Sequence, residues 1–122
     1  MKVLYVEDQP VNVMLMQALF AMRPKMALTV ATNGEEGYRA ATENPPDLLL
    51  VDLRLPDCHG SELLARMRTH PALLRVPAAA VTADVSDLTQ TTFMEVWTKP
   101  LDLTQTLSRL DQLHARHLEA MA

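Results

Sequence analysis

Glu7, Asp8, Asp52, Thr82 and Lys99 are the residues of this chain best suited to chemistry. Each follows an apolar run: Lys2 to Val6 leads into Glu7-Asp8, Leu48 to Val51 into Asp52, and Ala78 to Val81 into Thr82, while a weaker run, Val96 to Thr98, leads into Lys99. Carboxylates gathered at one place repel one another unless a cation lies among them. Their oxygens suit a hard divalent ion such as Mg²⁺, which keeps waters and takes one or two carboxylates. A carboxylate beside Mg²⁺ and a lysine can attack phosphorus and form an aspartyl phosphate. The protein's share of such a transfer is positioning and charge neutralisation. Mg²⁺ and Lys99 would supply the positive charge, and the Thr82 hydroxyl would hydrogen-bond the phosphoryl group.

These residues act together only if the fold carries their segments to one edge. Short apolar runs alternate here with helix-period segments. Lys2 to Val6 reads as a first strand. Val11, Met14, Leu15, Ala18, Leu19 and Met22 then follow at helical spacing and predict a core-facing stripe. Pro10 suits the first turn of that helix, and Pro24 closes it. Ala27 to Ala31 predicts a second strand, and Glu35 to Asn44 a helix stopped by Pro45-Pro46. Leu48 to Val51 is wholly apolar, as strands buried on both faces are. Gly60 to His70 predicts a helix, Ala78 to Val81 a fourth strand and Val96 to Thr98 a fifth. Leu103, Leu107, Leu110, Leu113 and Leu118 mark a final helix. Alternating strands and helices imply a parallel sheet covered on both faces. In such sheets the ligand site lies beyond the carboxyl ends of the strands, where the five reactive residues fall.

A length of 122 residues suits one domain spanning residues 1–122, long enough to bury a core without disulfides. The net charge of −4 and the lack of a basic stripe argue against direct nucleic-acid binding. No apolar run approaches membrane-spanning length, and no signal peptide is visible at the N-terminus. A single cysteine, Cys58, excludes an internal disulfide and is compatible with a reducing cytosol, so a cytoplasmic location is expected. Cys58 and His59 read as loop residues, because one Cys and one His do not make a metal site. His114 and His117 read as a solvated helix face.

Val6-Glu7-Asp8-Gln9-Pro10-Val11-Asn12 resembles the opening of receiver domains of two-component signalling, particularly those of hybrid histidine kinases. LLLVDLRLPDCHG, from Leu48 to Gly60, is similar to the family's phosphorylation segment, including Pro56 and Gly60. Val81-Thr82-Ala83 and Thr98-Lys99-Pro100 match its two later motifs. The resemblance implies a flavodoxin-like, doubly wound α/β fold: a five-stranded parallel sheet of order 2-1-3-4-5 with helices on both faces. It implies Asp52 as phosphoacceptor and Mg²⁺ as cofactor. Asp8 and Asp52 would ligate the ion directly, Glu7 largely through water, and the Arg54 backbone carbonyl would complete the protein ligands. Thr82 and Lys99 would bind the phosphoryl group, with Lys99–Pro100 cis. The implied partner is a histidine kinase or histidine phosphotransfer protein, and a homodimer is compatible with the family. The chain would assist its own phosphorylation and dephosphorylation without being an enzyme.

Three departures stand out. The family's switch aromatic, three residues before the lysine, is here Val96, with Trp97 expected on the opposite side of the strand. The segment from Thr82 to Lys99 is shorter than in familiar members. Asp84, Ser86 and Asp87 can cap a helix there, but Thr89, Thr91 and Thr92 are poor helix formers, which predicts a short or irregular fourth helix. Arg54 and Asp84 occupy the variable positions flanking the site and are expected to pair across it. An alternative function is a pseudo-receiver that binds partners without phosphorylation switching. A phosphatase with an aspartate nucleophile would want a second acid where Arg54 stands. A flavin carrier would want a hydroxyl- or glycine-rich loop in place of Asp8-Gln9-Pro10-Val11.

Overall fold

The computed structural model describes residues 1–87 and 93–122. Its strands are β1 (Lys2–Val6), β2 (Ala27–Ala31), β3 (Leu48–Asp52), β4 (Ala78–Thr82) and β5 (Glu95–Thr98). All pairings are parallel, in the order β2-β1-β3-β4-β5. The helices are α1 (Pro10–Ala21), α2 (Gly34–Glu43), α3 (Gly60–Met67) and α4 (Leu103–Met121), with a 3-10 turn at Pro71–Leu73. Every residue of β3 and β4 is buried, as their uninterrupted apolar sequences require of central parallel strands.

Period-2 alternation sorts the strand side chains into two cores. On one face Val3, Tyr5, Leu48, Leu50, Val81 and Trp97 pack against Met16, Leu19 and Phe20 of α1 and Leu110 and Leu113 of α4. On the other, Leu4, Val6, Leu49 and Val51 meet Ala41 of α2 and Leu63, Leu64 and Met67 of α3. Fully burying each large apolar side chain contributes roughly 1.5–3 kcal/mol, so the sheet is a stiff platform for whatever its strand ends carry. Trp97 and Val96 face opposite cores, as their adjacency in β5 predicts.

The helix starts are fixed locally. Pro10 occupies the first turn of α1. Asn33 Oδ1 accepts from the Glu36 amide at 2.8 Å, and Asp102 Oδ1 accepts from Gln105 at 2.8 Å. His59 caps α3: its Nδ1 accepts from the Ser61 amide at 3.1 Å. The expected helix from Gly60 to His70 is therefore a helix to Met67 followed by the 3-10 turn, because Pro71 cannot extend it.

The stripe expected to face the core on α1 is corrected by the structure. Val11 is 77% exposed and Met14 67%, and Ala18 and Met22 are exposed too; of that stripe Leu19 is buried as expected, and Met16 and Phe20 join it in the core. The segment is apolar nearly all round, so helical spacing can be traced along more than one line of it. Similarly, Leu103 and Leu118 of α4 are exposed, while Leu110 and Leu113 are buried.

Between β4 and β5, Val85–Asp87 forms a 3-10 turn. Asp84 Oδ1 accepts from both the amide and hydroxyl of Ser86, at 2.9 and 2.6 Å. The short or irregular fourth helix expected there falls largely on residues 88–92, including Thr89, Thr91 and Thr92, which lie outside the described residues.

Candidate functional site

Four strand ends deliver the reactive side chains to one cleft. Asp8, Gln9, Asn12, Asp52, Arg54, Thr82, Ala83, Asp84 and Lys99 line a cavity of about 270 Å³. Glu7 lies beneath it, fully buried. Carboxylate oxygens of Glu7, Asp8 and Asp52 come within 4.8 Å of one another, the arrangement among the described residues that fits a shared ion. All the donors are hard oxygens, and Asp8 is only half-buried, so the set suits a divalent cation that keeps water ligands.

Lys99 is the cation inside this cluster. Its Nζ donates to Glu7 Oε1 and to Asp52 Oδ2, the latter at 3.1 Å. The Lys99–Pro100 bond is cis, as expected. Glu7 is held on all sides: Tyr5 donates its hydroxyl to Oε1 at 3.1 Å, and the amides of Asp8 and Gln9 donate to Oε2 at 3.1 and 3.4 Å. The Arg54 amide donates to Asp52 Oδ1 at 3.2 Å.

Burial and charge separate the two buried acids. Burial, then the hydrogen bond and charge of Glu7, push the Asp52 carboxyl up to about 6, against the opposing pull of Lys99. Burial pushes Glu7 up as well, but hydrogen bonding to Asp52 and Lys99 outweighs it and holds Glu7 below the usual carboxylate value. Asp52 is thus the member of the pair that gains most from a further cation. Burial and the Glu7 charge raise the Tyr5 hydroxyl well above its ordinary range, so it stays a proton donor.

The loop after β3 is tightly tethered. Gly60 donates its amide to the Leu53 carbonyl at 2.8 Å, and a Cβ at this position would strike the Asp52 carbonyl oxygen and the Leu53 backbone. Only glycine permits that approach. The Asp57 carboxylate accepts from the Gly34 and Glu35 amides at 2.7 and 3.0 Å, tying the loop to the start of α2. The sequence predicts neither the Asp57 tether nor the His59 cap; histidine is not among the favoured N-cap residues, so the cap carries no sequence signal. Cys58 sits half-buried against Gly34.

At the rim, Thr82 is buried, and its hydroxyl accepts from the Asp84 amide at 3.1 Å and lies 3.2 Å from the Asp84 carbonyl. Arg54 Nη2 and Asp84 Oδ2 pair at 3.6 Å, with both side chains largely in solvent. His117 lies 3.6 Å from Asp47 at the opposite end of the sheet, remote from this cluster. No helix among the described residues is long and apolar enough to cross a membrane.

The chain is similar to known proteins along most of its length. Residues 3–111 match the family model described as the response regulator receiver domain. The transcriptional regulatory protein KdpE of Mycobacterium tuberculosis is 32% identical over 113 residues, covering 88% of this chain and 48% of that protein. The autoinducer 2 sensor kinase/phosphatase LuxQ of Vibrio parahaemolyticus is 35% identical over 95 residues, 78% of this chain but 11% of its own. The chain therefore spans about half or less of the length of these relatives. Among solved structures, the receiver domain of a sensor histidine kinase from Pseudomonas aeruginosa superimposes with a TM-score of 0.83 at 26% identity, over 92% of this chain and 95% of that one. That structure holds a magnesium ion coordinated in its active-site cleft. With sheet order, acidic cluster and family model in agreement, the chain belongs to the response regulator receiver domains of two-component systems.

Proposed function

We propose that residues 1–122 form a single phosphoacceptor receiver domain, phosphorylated on Asp52 by a phosphohistidine donor, a histidine kinase or histidine phosphotransfer protein, in the cytoplasm. The observation that carries this reading is the convergence of Glu7, Asp8 and Asp52 around Lys99 at the floor of one open cleft. The donor set fits Mg²⁺, with Asp8 and Asp52 as direct ligands, Glu7 acting largely through water, and the Arg54 backbone carbonyl alongside. Mg²⁺ would supply charge neutralisation for the transferring phosphoryl group.

The remaining work belongs to the chain. A carboxylate oxygen of Asp52 attacks phosphorus, the P–N bond to the donor imidazole breaks, and the imidazole leaves with a proton from solvent. Lys99 already touches Asp52 Oδ2 and is within reach of the new phosphoryl oxygens. Thr82 would give its hydroxyl to the phosphoryl group in place of its contact with the Asp84 backbone. The buried walls keep Asp52 on its strand end, so positioning costs little at the moment of transfer.

Incubation with Mg²⁺ and acetyl phosphate, followed by intact-mass measurement, is expected to add one phosphoryl group to the wild type and none to Asp52→Asn. A wild type that takes up neither phosphoryl nor beryllofluoride would sink this function. Val96, half-buried where the family has its switch aromatic, favours a second reading: an interaction module of the same fold without phosphorylation switching. An adduct at Asp52 separates the two.

The Arg54–Asp84 pair spans the cleft mouth and would slow the approach of water to phospho-Asp52. Because the pair is exposed, it is worth at most about 1 kcal/mol. Arg54→Ala is expected to shorten the phospho-Asp52 lifetime by up to about fivefold, the rate equivalent of that energy. An unchanged decay rate would remove the lid role.

A further inference from the structure

We propose that Tyr5 is a positioning residue of the acidic site, its buried hydroxyl sharing Glu7 Oε1 with Lys99 and holding the Glu7 carboxylate toward the ion both before and after Lys99 shifts to a phosphoryl group on Asp52. Tyr5 lies two residues before Glu7 on β1 and so points to the same side of the sheet. It is fully buried among Val3, Leu50 and Val81. That environment asks only for an apolar side chain of its size; the hydroxyl is the part that packing does not require.

The hydroxyl and the Lys99 ammonium converge on one oxygen, Glu7 Oε1, while the amides of Asp8 and Gln9 occupy Oε2. Lys99 alone among these donors also reaches Asp52. It is therefore the donor that must divide its bonds when the charge on Asp52 grows. A buried carboxylate oxygen stripped of its donor bears a desolvation cost, and Tyr5 removes that cost by remaining on Oε1. Glu7 then keeps its orientation toward the ion, acting as an anchored outer partner. Loss of such partners costs about 10–100-fold in metal affinity. The inference rests on the metal role given to Glu7 under the proposed function.

The test is calorimetric titration of Mg²⁺ alone into wild type, Tyr5→Phe, Glu7→Gln and the double variant, with thermal melts of each. Tyr5→Phe keeps the ring and is expected to melt cooperatively, bind Mg²⁺ about tenfold more weakly, and need correspondingly more Mg²⁺ for half-maximal beryllofluoride adduct. In the Glu7→Gln background the same substitution is expected to change Mg²⁺ affinity no further. Equal affinity of Tyr5→Phe and wild type would overturn the proposal, as would an undiminished effect of Tyr5→Phe beside Glu7→Gln. A Tyr5→Phe protein that does not fold would overturn it too, by assigning the hydroxyl to the core. Failure of the wild type itself to bind Mg²⁺ would instead overturn the metal-site reading and carry this inference with it.

Discussion

Asp52→Asn will make the metal-free protein more stable than wild type at neutral pH, by about 3 kcal/mol, while removing the phosphoacceptor. The magnitude follows from a carboxyl raised from its ordinary 3.8 to about 6 in the folded chain, each unit being worth about 1.4 kcal/mol. The raised value already contains the attraction of Lys99, so it measures the net discomfort of ionised Asp52 beside Glu7. Its sign is that of a raised folded-state pKa: the folded state binds the proton more tightly than the unfolded chain. The stabilisation is present below the unfolded value and is lost as pH rises through about 6. Asparagine has no such loss. The variant's advantage should therefore be full above pH 7, shrink as pH falls through about 6, and vanish near 4. Urea melts at these pH values, with chelator present, measure it directly. Repeating them with Mg²⁺ at about a hundred times its dissociation constant returns about 2.7 kcal/mol to the wild type alone and should nearly close the gap. An Asn variant no more stable than wild type at neutral pH would mean that Lys99 fully compensates Asp52 without a metal.

That electrostatic poise was only partly legible in the sequence. Positions Glu7, Asp8, Asp52, Thr82 and Lys99 could be read because each ends an apolar strand, and topology sends parallel strand ends to one edge. The elements were legible for the same reason: Leu48 to Val51 and Ala78 to Val81 have nowhere to go but the middle of a sheet. Of the inward face of α1 only Leu19 was legible. Val11, Met14 and Met22 are as apolar as Met16 and Phe20, and only the placement of the helix against β1 and β3 decides which are buried. The i, i+2 relation of Tyr5 to Glu7 puts both on one side of the strand, but the sequence assigns Tyr5 no role. Period 2 says which face a side chain takes but not that a phenol oxygen will meet a carboxylate. Asp57 and His59 escaped for a related reason. Their hydrogen bonds depend on loop geometry, which carries no periodic signal. The cleft was thus readable as a set of ligands, and the network that restrains those ligands was not.

Lys99→Met should have the largest effect of any single change at the site. Its ammonium is the charge that joins Glu7 to Asp52, and all three side chains are at least 86% buried, with exposures of 14%, 0% and 9%. Methionine matches the stem in length and brings no charge. Removing one partner of a buried ion pair costs about 3–5 kcal/mol, because it strands the charge that remains. Here two carboxylates would be stranded against each other. Binding a proton relieves that repulsion, so the folded-state pKa of Asp52 rises further. By the same sign rule, the deficit should be greatest at and above neutral pH and shrink as pH falls toward 4. Asp52→Asn added to Lys99→Met should recover more stability than Asp52→Asn gives the wild type, with a coupling of about 1–3 kcal/mol between the two positions. Chemical melts of the four proteins across pH, without divalent ions, measure that coupling. Additive effects at the two positions would mean that Lys99 stabilises Glu7 alone, and that its contact with Asp52 contributes nothing until a phosphoryl group is there to be held.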